Sequence, residues 1–178
     1  MVAIRPERPG DVAAREALLD VAYGPVRFAK ASERLREGRL PELSIVAAEG
    51  RRLVGTVRLW CVSAGPGRPA LLLGPLAVHP DCRCRGIGAA LMRRALRAAA
   101  DAGHGAVLLV GDAAYYGRFG FTAEKTGALG MPGPSEPDRL LALELAPGAL
   151  DRADGVIRIG TPRRAPHRAA VPAVAHAA

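Results

Sequence analysis

The period of apolar positions changes several times along the chain, and each change marks an element. Residues 71–78, LLLGPLAV, run almost unbroken, as in a strand buried on both faces. Gly74-Pro75 interrupts that run. Proline cannot donate to a ladder and glycine marks irregular strand points, so a bulge or splay is expected there. A basic glycine loop follows, Arg83-Cys84-Arg85-Gly86-Ile87-Gly88. Leu91, Met92, Ala95, Leu96 and Ala99 then recur at helical spacing, with Arg93, Arg94 and Arg97 on the opposite face. Gly103 closes the helix, and residues 106–110 read as a second buried strand. The unit is strand, basic loop, helix, strand.

The flanking segments read as follows. Ile4 centres a short first strand. Pro9-Gly10-Asp11 caps a helix running to about Tyr23, with Ala14, Ala17, Leu18 and Val21 on its inner face. Residues 28–36 predict a second helix, with Phe28, Ala31 and Leu35 inward and Gly38 at its end. Residues 43–48 and 53–62 form an antiparallel hairpin around Glu49-Gly50-Arg51-Arg52. Asp112 caps a short helix over 113–119, residues 125–137 are an irregular loop, and 139–145 return as a strand. Residues 150–159 fit either a last strand or a strap across the domain. From Thr161 the chain turns to Ala, Pro, Arg and His with nothing to bury. The reading is one domain over 1–160 and a disordered tail over 161–178.

A chain of 178 residues is long enough to bury a real core in one domain. The net charge of +8 comes from arginine, since only Lys30 and Lys125 are lysines. Nucleic-acid binding as the main role is disfavoured, because no aromatic interleaves the basic residues from 161 onward. No run of 18 apolar residues exists and MVAIRPERPGD carries no signal-peptide core, so a cytoplasmic protein without a membrane span is expected. The cysteines, Cys61, Cys82 and Cys84, are odd in number, which argues against a disulfide framework. Cys82 and Cys84 with His79 and His104 lack the spacing of a structural zinc site, so no metal is expected.

The basic loop carries the chemistry. The first amides of a helix have no intrahelical partner, and the helix dipole places positive charge there. Glycines at 86 and 88 admit a ligand to the backbone, and Arg83 and Arg85 add two charges. The guest that fits is a phosphate or pyrophosphate. A Rossmann fingerprint fits poorly: Leu91 stands where the third glycine belongs, and His79 to Arg85 separate the strand from the first glycine. A phosphate loop of the Gly-Lys-Ser/Thr kind is absent.

Arg83, Gly86 and Gly88 match Arg or Gln, two residues, Gly, one residue, Gly or Ala. About 30 residues later Tyr116 precedes Gly120-Phe121 by four positions. With these two motifs the chain resembles the GNAT superfamily of N-acetyltransferases, and in particular a bacterial subgroup ending in G-D-x-x-Y-Y-G-R-F-G-F. The resemblance covers about residues 2–147. It implies an α/β single domain, a mixed, largely antiparallel sheet flanked by helices, with a splayed central strand forming an acetyl-CoA cleft.

The resemblance also implies roles. Leu76, Ala77 and Val78 would offer backbone groups to the pantetheine arm. The loop Arg83, Cys84, Arg85, Gly86, Ile87, Gly88 and Ala89 would hold the pyrophosphate, and Tyr116 would protonate the leaving thiolate. Tyr115 would contact cofactor or core. Acetyl-CoA is then a co-substrate, and the partner is a small-molecule or peptide amine, with room for a homodimer. Residues 23–42 would cover the acceptor site, but their mixed charges select no substrate. Leu109 stands where many members carry an asparagine, and Cys84 where many carry Gly or Asn. For the base, Glu42 or a water relay both stay open. A non-catalytic acyl-CoA-binding or regulatory domain is the alternative.

Overall fold

The computed structural model describes residues 1–162, so all of the expected tail but Thr161 and Pro162 lies outside the described residues. In chain order the strands are β1 (Val2–Pro6), β2 (Leu43–Glu49), β3 (Arg52–Ser63), β4 (Pro69–Val78), β5 (Ala106–Val110), β6 (Leu129–Gly130), β7 (Leu140–Glu144), β8 (Gly155–Val156) and β9 (Arg158–Ile159). The helices are α1 (Val12–Tyr23), α2 (Ile87–Asp101) and α3 (Ala113–Tyr116). The main sheet runs β1-β2-β3-β4-β5-β7, antiparallel throughout except between β4 and β5. Those two are parallel because α2 carries the chain back to the starting edge.

The apolar run of β4 buries Ala70 to Leu73 from both sides, as its unbroken pattern requires. β4 pairs with β5 only at Leu71↔Val107 and Leu72↔Leu108. Beyond that point β5 stays with β7 while β4 follows β3, and a wedge opens between them. β3 spends Arg58 alone against Gly74 and Pro75, since Val57 faces Leu76 and Leu59 faces Leu73. The sequence irregularity is thus a bulge beside the splay. The indole nitrogen of Trp60 donates to the Gly74 carbonyl at 2.7 Å, satisfying one of the acceptors freed there.

One sheet face packs Leu59, Leu71, Leu73, Val107 and Leu109 against Leu91, Met92, Ala95 and Ala99 of α2. The other gathers Ala31, Leu35, Leu72, Leu108, Met131 and Ile157. The segment 150–159 proves to be both strand and strap: β8 pairs with β6, and β9 pairs with Val62 and Ser63 of β3.

Two expectations about the N-terminal helices are corrected. In α1 the buried residues are Arg15, Leu18 and Leu19, while Ala14, Ala17 and Val21 face outward. Arg15 can be buried because Glu7 at 3.0 Å and Glu16 at 2.5 Å neutralise it. Residues 28–36 are not one helix but two 3₁₀ turns, Pro25–Ala29 and Ala31–Leu35, parted by extended Lys30. Phe28 is 58% exposed, with the Arg27 guanidinium stacked on it. Ala31 and Leu35 alone bury apolar surface here, so packing rewards one turn and not a continuous helix. No helix among the described residues is long and apolar enough to cross a membrane.

Candidate active site

The wedge between β4 and β5 has two halves, and the first lies at the start of α2. From β4 the chain passes His79, a 3₁₀ turn over Pro80–Cys82, then Arg83 to Gly86. Cys84 and Gly86 both adopt left-handed backbone, at φ 60 and φ 74, which coils the loop into the helix. Glycine or asparagine at position 84 would suit that conformation better than cysteine does. The amides of Ile87, Gly88 and Ala89 meet no acceptor among the described residues. No acidic residue occupies the first turn of α2, and space around a Cβ at Gly86 is open to 4 Å. Unpaired amides, a helix dipole and open space fit a pyrophosphate group.

The two loop arginines differ. Arg85 turns back to the end of β2 and holds Glu49 at 2.7 and 3.2 Å, so its charge is already compensated. The ion pair lowers the Glu49 carboxyl below its ordinary value. Arg83 is exposed; burial raises the Tyr23 phenol above its ordinary value, and the Arg36 and Arg83 charges work against that rise. His79 faces Arg52 and Asp81, away from the wedge. The Tyr115 hydroxyl reaches α2, 3.2 Å from where a Cβ on Gly88 would stand, with Arg118 stacked on its ring at 4.0 Å.

Along β4 only alternate residues face the wedge. The Leu76 carbonyl accepts from the Tyr23 hydroxyl, and the His79 amide donates to Val54 on the β3 side. Leu76 and Val78 therefore present their backbone to the cleft, whereas Ala77 turns its own toward β3. Ala89 contributes an amide in the first turn of α2.

The second half is a cavity of about 270 Å³. Its walls include Tyr23 at the end of α1, Lys30 between the two 3₁₀ turns, Glu33 of the second turn and Arg36 just after it, Leu73 to Leu76 of β4, and Tyr116. Leu109 and Val110 of β5 and Met131, Glu136 and Arg139 from the late loop complete it. The lining stops at Leu76 and includes nothing from 79–89. Asp112 caps α3 by accepting from the Ala114 amide at 2.9 Å, which aims Tyr116 inward. Bare backbone at Gly111 seats the Tyr116 ring: a Cβ there would lie 2.7 Å from Cδ2 and closer still to Cε2. Burial, with the Tyr23 and Tyr115 phenols nearby, pushes the Tyr116 hydroxyl up to about 12. It therefore stays a proton donor well above neutral pH.

Glu42 is not on the cavity wall. It contacts His104 at 3.4 Å and Cys61 Sγ at 3.3 Å instead, because the strand end where it sits lies against the far side of β3. Sequence reasoning placed residues 23–42 over the acceptor site, Tyr23, Glu33 and Arg36 among them, without choosing between them, and it did not single out Gly111, Glu136 or Arg139. One signal for Tyr23 existed: the chain has only three tyrosines, and all three lie around this cleft. Among the described residues no three His, Cys, Asp or Glu side chains gather as a metal site would require.

This arrangement has relatives. The family model described as "Acetyltransferase (GNAT) domain" matches residues 41–123. The N-acetyltransferase YhbS of Escherichia coli K12 is 30% identical over 156 residues, covering 86% of this chain and 93% of YhbS. The crystal structure of E. coli YhbS in complex with CoA superposes with a TM-score of 0.77 at 29% identity, covering 89% of each chain. A GNAT acetyltransferase from Brucella melitensis in complex with acetyl-CoA gives 0.69 at 28% identity, covering 91% of this chain and 97% of that one. The motifs, the splayed sheet and these likenesses over nearly the whole domain agree: the chain belongs to the GNAT family of N-acetyltransferases.

Proposed function

We propose that the protein transfers an acetyl group from acetyl-CoA to the amine of a small acceptor, with both substrates bound together in the wedge. Bound acetyl-CoA supplies a thioester whose acetyl carbon the amine attacks. The amides of Ile87, Gly88 and Ala89 hold the pyrophosphate, and Arg83 adds charge that Arg85, committed to Glu49, does not. Leu76 and Val78 give the pantetheine arm a strand edge to run along. The Leu76 amide is the donor for the carbonyl oxygen as negative charge develops on it. As the new N–C bond forms and the C–S bond breaks, Tyr116 gives its proton to the departing sulfur. The half-buried Glu33 carboxylate, 31% exposed on the cavity wall, takes the proton the amine loses.

One observation carries this reading: Tyr116 and the free edge of β4 border the same wedge, with amide donors at one end and a side-chain-lined cavity at the other. The test is acetyl-CoA titration followed by melting, then thiol release with a panel of amines. At about 100 times its Kd, acetyl-CoA should add about 2.7 kcal/mol of stability. No shift in melting temperature, or no thiol released with any amine, overturns the proposal.

A further inference from the structure

The acceptor half of the cleft holds a charge that its surroundings do not balance. Arg36 lines the cavity with a side chain only 10% exposed, and its buried Nε has no hydrogen-bond partner among the described residues. Its carboxylate neighbour, Glu33, stands 4.0 Å from Nη1, at the far limit of an ion pair. Nη2 lies 2.9 Å from where a Cβ on Gly74 would be, so the guanidinium rests on bare backbone at the splay. Burial pushes this arginine down to about 10, and Arg58 nearby adds to that. An uncompensated buried charge is costly to keep unless a ligand answers it.

The other charges on the wall are mostly spoken for. Arg27 is held by Glu16 at 2.6 Å and Asp20 at 3.0 Å, and Arg139 by Glu136 at 3.2 Å. Lys30 lies over the Tyr23 ring at 4.5 Å, with no carboxylate within ion-pair distance among the described residues. Arg36 and Lys30 thus face Glu33 alone, and the cavity is left net positive.

We propose that Arg36 binds a carboxylate on the acceptor, which makes the substrate a small amino-carboxylate. The proposal rests on the transferase reading above and names the substrate class of the same site. A planar guanidinium with open donors matches a carboxylate in two parallel hydrogen bonds. Glu33, 4.0 Å from it, stands beside it as the complement for the ammonium group. Leu73, Leu109 and Met131 give the rest of the cavity an apolar wall, and about 270 Å³ admits one residue-sized molecule. A polyamine would meet Arg36 and Lys30 with like charge.

The experiment compares leucine, leucinamide and isopentylamine as acceptors by thiol release, and as ligands by melting in saturating CoA. The amide's amine is less basic than leucine's, so without carboxylate recognition leucinamide would react faster. Leucine should exceed both in kcat/KM by about 10- to 100-fold. Arg36→Gln should erase that preference while leaving the KM for acetyl-CoA unchanged, and Arg36→Lys should keep part of it. Equal or better use of leucinamide by the unmodified protein overturns the proposal, as does an Arg36→Gln enzyme that still prefers leucine. Because the first comparison uses the unmodified protein, it decides even if both variants fold poorly. If no probe releases thiol, the transferase reading fails separately. Melting shifts then decide Arg36: a shift with leucine and none with leucinamide supports it, and equal shifts overturn it.

Discussion

In the reading proposed above, the two halves of the wedge bind by different means. At the start of α2 the ligand-facing groups are backbone amides, exposed because a helix begins there and because left-handed residues at 84 and 86 bend the chain into it. In the cavity beyond Leu76 they are side chains, Tyr23, Glu33, Arg36, Tyr116 and Arg139, drawn from segments more than 100 residues apart. Backbone recognition of this kind needs only a local sequence, so it serves one unchanging cofactor. Side-chain recognition needs the tertiary fold, and it is where a substrate can be chosen.

The strongest break between the halves is Tyr116→Phe. It should lower kcat by about 10²- to 10⁴-fold while the Kd for acetyl-CoA changes little, as read by thiol release and cofactor titration. If kcat falls and the Kd for acetyl-CoA rises with it, Tyr116 belongs to the cofactor half and not to the chemistry.

Next in size is Gly88→Val. The side chain would fill the space over the α2 amides, where the Tyr115 hydroxyl already comes within 3.2 Å of a Cβ. Loss of one or two charge-assisted hydrogen bonds predicts acetyl-CoA binding weaker by about 10- to 100-fold, measured by calorimetry, with a melting temperature near that of the parent. Gly86→Val, the more obvious substitution in the motif, does not separate binding from folding. At φ 74 a β-branched residue is strained by about 1–2 kcal/mol before any ligand is considered.

Gly111→Ala tests whether the acid is positioned by backbone approach. A methyl group cannot coexist with the Tyr116 ring, so the ring must move. The expected cost is about 1–3 kcal/mol of stability, read by thermal melting, and about a tenfold loss of kcat with cofactor affinity kept. Unchanged turnover would show that Tyr116 needs no such seat.

The pH profile sharpens the same assignment. A phenol raised to about 12 keeps its proton as pH rises, and loses it only as pH passes that value. Turnover should therefore climb with pH as the acceptor amine deprotonates, without a descending limb below about pH 10. A fall between pH 8 and 10, with the protein still folded, would point to a different acid.

The smallest effect expected is Cys84→Gly. Cysteine at φ 60 is strained by about 1–2 kcal/mol, partly offset by glycine's greater freedom in the unfolded chain. A rise of about 2–4 °C in melting temperature is expected, with cofactor binding intact. No rise would mean the loop relaxes around the cysteine.

By itself the sequence determined what depends on near neighbours. The unbroken apolar run predicted a buried β4, Gly74-Pro75 its irregularity, the helical spacing of Leu91, Met92, Ala95 and Ala99 the packed face of α2, and Asp112 the cap of α3. Each is a period or a cap, written within a few residues. The tertiary structure decided the rest. It turned Arg85 to Glu49 and left Arg83 over the cleft, because an ion pair with β2 depends on where the hairpin ends. It buried Arg15 on the face of α1 that alanines were expected to fill, because Glu7 and Glu16 stand there to neutralise it. It also set Arg36 beside Gly74, bare backbone far along the chain, with Glu33 only at the 4.0 Å limit of an ion pair. Which charge is compensated, and which is left open for a ligand, depends on what the folded chain brings within a few ångströms, and no local pattern records that.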